Sequence, residues 1–376
     1  MEREILKDRA WLEIDLDNLE HNINEINKVI PFKTKIIAVV KANAYGHGMI
    51  SISKKLESIG IQDFAVATLQ EAIILRKNNI KGSILILGYT DIENVQYIID
   101  YDLIQTAVDE DYAEKLLQLS FDKKIKVHLK INTGMNRIGI NYKNINIMKQ
   151  LYFSSNLEVL GIFSHLCVAD SNIKEDIDFT HLQISRFNDL ITILKNSMID
   201  IGKVHLQSSY GILNYPELEF DYVRPGIIMY GINSEDNIDT KIKLDIKPVL
   251  SLKARVTSVK EIDIDDSVSY GRMYIASKKE KIASVSIGYA DGFPRNLSCK
   301  GVKVLVNNKY AEIIGRICMD QLIIKVDDIE VKQGDIVTLI GSDKNVSAER
   351  IALYSDTITN ELLSRLGERL NRINGD

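Results

Sequence analysis

The 376-residue sequence has no apolar run near the roughly 20 residues that a bilayer-spanning helix needs, so no transmembrane segment is expected. Basic excess is missing too. The formal charge is -5 and the pI near 5.8, with Lys and Arg scattered along the chain, which excludes nucleic acid as the expected partner and leaves a small molecule. Cysteine is scarce: Cys167, Cys299 and Cys318 have neither metal-ligand spacing nor the even count of a disulfide framework. Each is expected to be a small buried apolar residue in a reducing compartment, and no metal site is expected. The opening MEREILKDRAW is too charged for a signal peptide, so the chain is expected to be cytoplasmic. No internal repeat or low-complexity tract is visible.

Apolar residues make up 45% of the chain, enough at this length for a large core divided between two or more domains. From Trp11 to about Ile232 short β-branched runs alternate with longer stretches of helical spacing. The strand candidates are KIIAVVKA, FAVAT, SILILG, IQTAV, VHLKI, LGIFSHL, VHLQSS and YVRPGI. Eight such strands suit a (β/α)8 barrel. SEDNIDTKIKLD then forms a polar bridge, and beyond it LSLKARVTSVKEI, KIASVSIGYADG, KVLVNN and DIVTLIG alternate with period two, as in a mainly β domain. The expected organisation is therefore a strand at 1–12, a barrel at 13–240 and a β domain at 241–376. The stretch ERIALYSDTITNELLSRLGERLNRI reads as helical, with Asp356 or Thr357 as the N-cap of the helix beginning there.

In a barrel of this kind chemistry gathers at the C-terminal ends of the strands. Lys41 follows the apolar IIAVV and precedes ANAYGHG, where burial would lower its amine pKa and make it a nucleophile. An isolated lysine there would more often reach out to solvent. The glycines at 46 and 48 beside Tyr45 argue otherwise, because they let backbone approach a ligand closely.

With VVKANAYGHG (39–48), KINTGMNRIG (130–139), SHL (164–166), VRPGI (223–227), VSYGRMY (268–274), IGYADGFPR (287–295) and GRICMDQ (315–321), the chain resembles the alanine racemase family over nearly its whole length. That resemblance implies a fold-type III enzyme using pyridoxal 5'-phosphate (PLP), working as a homodimer with active sites shared between subunits. It implies that Lys41 forms the Schiff base with PLP, that Tyr45, Ser209 and the amides of Gly226 and Ile227 cradle the phosphate, and that Tyr230 is a further phosphate-site tyrosine. Arg224 would face the pyridine nitrogen, and a guanidinium that keeps its proton makes PLP a weaker electron sink than in aminotransferases. Racemisation needs bases on both faces of Cα. Lys41 would be one, and Tyr270 of the second subunit the other, relayed through His165 to Arg224 and His205. Arg137 would hold the phenolic oxygen and the substrate carboxylate, with Met319 and Asp320 of the second subunit nearby. Tyr289 and Asp170 would line the approach, His47 would be structural, and Lys130 aligns with a lysine that some members carry carbamylated.

Two places depart from the usual family pattern: Ser208 stands where Asn is expected, and Asn360 where Tyr usually closes the substrate's methyl pocket. Both departures resemble the racemase domain of the serine racemases of vancomycin-resistance clusters, which implies L-serine beside L-alanine as substrate and D-amino acids for cell-wall precursors. Those proteins carry a membrane domain ahead of the racemase domain, so the chain would be a stand-alone enzyme or a detached domain. The alternatives are a noncatalytic PLP-binding protein, which would lack the β domain and its Tyr270, a fold-type III decarboxylase using Cys318 as opposing acid, and a racemase of basic amino acids.

Overall fold

In the computed structural model, which describes residues 8–235 and 239–374, the eight expected runs form a closed parallel barrel. Its strands are Lys35–Val39, Asp63–Val66, Ser83–Ile86, Ile104–Ala107, Ile125–Asn132, Leu157–Phe163, Lys203–Ser208 and Tyr222–Arg224. Each pairs in parallel with the next and the last returns to the first, so no edge is left open. Helices between the strands turn apolar stripes inward, as Leu19, Ile23 and Ile26 do from Leu16–Val29, whose N-terminus Asp15 caps. Lys41, Arg224 and Ser209 therefore meet at one face of the barrel, where its strands end.

The second sheet is antiparallel and closes as well. Leu250–Ile262, Glu280–Val285, Leu322–Lys325, Lys309–Ile314, Lys303–Val306 and Ile336–Ile340 form a ring of six, with alternating burial along Leu250–Val256. Ala10–Ile14 pairs antiparallel with Leu250–Ala254 and parallel with Asn371–Asn374, so the two ends of the described chain meet on this sheet. Residues 1–7 of the expected 1–12 strand, and 236–238 of the polar bridge, lie outside the described residues.

The long C-terminal helix does not form as expected. Its residues make two short helices, Ala348–Tyr354 and Thr359–Ser364, followed by the strand Asn371–Asn374. Asp356 takes the left-handed conformation (φ 55°), which ends one helix, and extended Ile358 rather than Asp356 or Thr357 is the N-cap of the next. Thr357 instead hydrogen-bonds the Glu361 side chain. A second expectation fails at Cys299, which is exposed on a left-handed backbone, while Cys167 and Cys318 are half-buried; all three are free thiols. Among the described residues no helix is long and apolar enough to cross a membrane.

Candidate functional site

Immediately after the first barrel strand the backbone does something rare for L-residues. Ala42, Asn43, Ala44 and Tyr45 all have φ between 51° and 55°, forming one left-handed turn without glycine. Each such residue costs about 1–2 kcal/mol, so the turn must be held from outside. Glu71, which also closes a capping box with Thr68, accepts from the Ala42 N–H at 2.7 Å. Asn43 Oδ1 accepts from Met49 N–H at 2.8 Å, and the Arg372 Nε donates to the Gly46 carbonyl at 2.7 Å. His47 Nδ1 lies 2.9 Å from the Ala44 carbonyl and 3.0 Å from that of Tyr45, so this buried imidazole is structural, as expected. The turn presents Lys41 and Tyr45 to one cavity.

That cavity spans about 910 Å³ including its open mouth. Lys41, Tyr45, Lys130, Arg137, His165, Ser208, Ser209, Arg224, Gly226 and Ile227 line it from barrel strands and the turns after them, far apart in sequence, and Asn360 lines it from the helix Thr359–Ser364. Burial and the Arg137 charge lower the Lys41 amine, with Glu71 pulling the other way. An amine so placed is a base and nucleophile nearer neutrality than a surface lysine. At one end, Gly226 N–H donates to Ser209 Oγ at 3.0 Å, and a Cβ on Gly226 would stand 2.7 Å from the Tyr45 hydroxyl. Burial pushes the Tyr45 phenol up to about 12, so it keeps its proton for donation. Hydroxyls, backbone N–H groups and a position where only glycine leaves room are the donor set of a phosphate cradle.

Arg224 is buried at the other end, donating to the Ser164 and Leu206 carbonyls at 2.7 and 2.9 Å and contacting His205 Nδ1 at 2.6 Å. Burial lowers its pKa to about 9, and three acceptors that require N–H keep it protonated at neutrality. Lys130 is pushed well below its usual range by burial and then by Arg224 and Arg137. Burial and two nearby guanidinium groups thus favour the neutral amine, the form that can take up carbon dioxide. Its Nζ sits 5.3 Å from the centre of the Phe163 ring, which Arg224 also covers at 5.1 Å. Burial, then Arg224 and the neighbouring cations, keep His165 neutral, but no hydrogen bond joins its ring to Arg224 among the described residues.

Several expected residues are elsewhere. Tyr230 is fully buried behind the cavity wall, its hydroxyl donating to the Val39 carbonyl at 2.9 Å and its ring 5.2 Å from that of Tyr45, so it backs the cradle rather than lining it. Tyr270, Met319 and Asp320 line a separate, open depression with Ser269, Cys318 and Gln321. Tyr270 is 72% exposed and Met319 52%, and Asp320 accepts from Arg369 at 2.7 Å. Within one chain they do not meet Lys41. Tyr289 sits on an exposed turn whose Asp291 is clamped by Arg9 at 3.0 Å, and Asp170 is exposed. Sequence reasoning missed Phe163, His128 and Glu71; only Glu71 carried a signal, the T-x-x-E spacing of a capping box.

Comparison with known proteins agrees with this geometry. Residues 14–234 match the family model for the alanine racemase N-terminal domain and 249–374 that for the alanine racemase C-terminal domain. An amino-acid racemase of Enterococcus faecalis is 45% identical over 366 residues, 96% of this chain but 51% of that protein, so the chain spans about half the length of that relative. An alanine racemase of Carboxydothermus hydrogenoformans is 39% identical over 371 residues, 97% of this chain and 99% of its own. The crystal structure of alanine racemase from Bacillus anthracis with bound L-Ala-P superposes with a TM-score of 0.90 at 34% identity, covering 99% of this chain and 96% of that one.

Proposed function

This chain belongs to the alanine racemase family, and from that premise we propose that it interconverts the L and D forms of alanine, and of serine as well, with PLP as its cofactor and a homodimer as its working form. The observation carrying the reading is the cavity that holds a lowered-pKa lysine, a phosphate cradle and a buried guanidinium together. These residues fit PLP: Lys41 would hold it covalently, Tyr45, Ser209, Gly226 and Ile227 would take its phosphate, and Arg224 its ring nitrogen. Bound there, PLP supplies the electron sink that makes the substrate's Cα proton acidic.

The chain's own groups do the rest. The Lys41 amine takes or returns a proton at Cα on one face. Tyr270 of a second copy serves the other face, which accounts for a tyrosine standing exposed on the β domain with Met319 and Asp320 beside it. Arg224 keeps its proton and so fixes position without donating one to the ring. Arg137, on the rim of the cavity, would bind the substrate carboxylate with its planar fork, and carbamylated Lys130 would orient it. Serine activity is supported by Asn360, whose amide oxygen is buried beside the Lys41 turn with no hydrogen-bond partner among the described residues. A cytoplasmic site and supply of D-amino acids for cell walls belong to the same reading.

The test is chiral chromatography of L- and D-alanine and L- and D-serine after incubation with purified, PLP-loaded protein. Conversion of neither amino acid by protein that shows the visible absorbance of lysine-bound PLP would overturn the assignment.

A further inference from the structure

Behind Arg224 the hydrogen bonding does not stop at His205. His205 Nε2 lies 2.9 Å from His128 Nδ1, and both imidazoles are buried inside the barrel. Their protons can be assigned by donor inventory. Arg224 has only N–H to offer, so His205 Nδ1 must accept. A neutral His205 then carries its proton on Nε2 and donates to His128 Nδ1. His128 in turn carries its proton on Nε2, which has no hydrogen-bond partner among the described residues. The three groups form a chain polarised in one sense, from guanidinium to outer imidazole.

Neutrality of both rings is consistent with their setting. Burial first, then Lys203 and Arg224, lower His128 to about 3, and burial followed by Arg224 and His128 holds His205 well below its usual range. The His205 ring stacks on Phe163 at 4.7 Å with an 8° tilt, and Arg224 covers the same phenyl ring. The space for His128 is specific. A Cβ on Gly161 would come within 2.8 Å of His128 Cε1, and strand register sets Gly161 opposite His128 and His205 opposite Phe163.

We propose that His128 is a positioning residue: by accepting from His205 Nε2 it holds that ring edge-on to Arg224 and so fixes the guanidinium where it meets the cofactor. The proposal rests on the PLP racemase reading. Stacking on Phe163 fixes the plane of the His205 ring but not its edge, because a half-turn about Cβ–Cγ returns the ring to that plane with Nδ1 and Cδ2 exchanged. The bond to His128 adds to the bond to Arg224 in opposing that flip and selects the Nε2–H tautomer. A flipped ring would set Cδ2–H against the Arg224 N–H, and a ring with its proton on Nδ1 would set N–H against N–H; either loses the acceptor.

The test is a two-bond proton–nitrogen spectrum of 15N-histidine protein with and without PLP, in the wild type, His128→Gln and His128→Leu. Both wild-type rings are expected as the neutral Nε2–H tautomer down to pH 5. Gln keeps a side-chain oxygen for His205 and should keep its signal, the cofactor absorption maximum and kcat. Leu leaves the His205 N–H unpaired, so its signal should broaden, the cofactor band should shift, and kcat should fall about tenfold with KM within about threefold. A wild-type His205 or His128 carrying its proton on Nδ1 overturns the proposal even if His128→Leu does not fold. A folded His128→Leu with unchanged His205 signal, cofactor band and kcat overturns it equally. Because tautomers are read without turnover, a wild type with the expected tautomers and no racemisation would sink the functional reading alone.

Discussion

The Glu71 carboxylate and the backbone N–H of Ala42, the residue after Lys41, are joined by a 2.7 Å hydrogen bond. The other carboxylate oxygen accepts from Ala67 and Thr68 at 2.8 and 3.3 Å, so one side chain ties the end of the second barrel strand to the strained turn. Glu71→Ala leaves three backbone donors without this acceptor and is expected to cost about 1–3 kcal/mol of stability. Glu71→Gln, which keeps one acceptor oxygen, should cost less. Urea midpoints check both; an unchanged midpoint for Glu71→Ala would mean the turn is held without it.

Lys41→Ala is expected to abolish racemisation and the visible absorbance of covalently held PLP. Lys130, the other amine lining this cavity, lies on the barrel wall rather than on the turn. PLP that stays bound through dialysis and borohydride reduction in this variant would exclude Lys41 as the attachment point.

Much of this was legible in the sequence because it is local. The eight barrel strands showed as β-branched runs, and Lys41, Tyr45, Ser209 and Arg224 stand at their ends by position along the chain. What could not be read is set by closure and register. The His128–His205 contact joins residues 77 apart, and Phe163 meets Arg224 across the intervening strand Lys203–Ser208 only because the barrel closes. Nothing in ANAY signals four left-handed residues. The C-terminal stretch has helical spacing, yet Asn371–Asn374 gains a strand partner in Trp11–Ile14, a tertiary contact that local periodicity cannot show.

Shared sites make a prediction that a self-contained site does not. Tyr270 lies outside the Lys41 cavity of its own chain, so inactive Lys41→Ala and strongly impaired Tyr270→Phe subunits should gain activity when mixed. At most one site in each hybrid dimer is intact, giving up to about a quarter of wild-type activity after random exchange. No recovery after exchange verified by mass spectrometry would count against a second-subunit Tyr270. In the single variant kcat/KM must fall equally in both directions, because the L/D equilibrium is fixed. The α-deuterium isotope effect should rise more from the L side.

Acid sensitivity follows from His47. Burial lowers it to about 4, whereas in the unfolded chain it titrates near 6.5. Above 6.5 it is neutral in both states and its contribution is fully present. As pH falls from 6.5 toward 4 only the unfolded chain takes up the proton, and roughly 3 kcal/mol is lost. His128, lowered to about 3, and His165 and His205 add losses over the same range, so His47→Gln should make this part of the stability profile shallower by its own share. Urea midpoints at pH 7.5 and 5 decide: an equal drop in both proteins means His47 does not drive it.

Substrate choice should turn on Asn360. The helix bearing it packs on the Lys41 turn through Gly46, whose missing Cβ would otherwise stand 2.1 Å from the Leu363 carbonyl, so its side chain is held at the cavity. The Asn360 Oδ1 is buried with no hydrogen-bond partner among the described residues, an arrangement that costs about 1–3 kcal/mol unless a ligand donates to it. The serine hydroxyl is such a donor; the alanine methyl is not. Replacing Asn360 with Tyr should therefore shift the ratio of specificity constants toward alanine by roughly tenfold or more, since 1.4 kcal/mol is a factor of ten. If Asn360 only fills space, both substrates change alike. Steady-state kinetics of Asn360→Tyr with L-alanine and L-serine separate the two, and an unchanged ratio would leave an alanine racemase with a wider pocket.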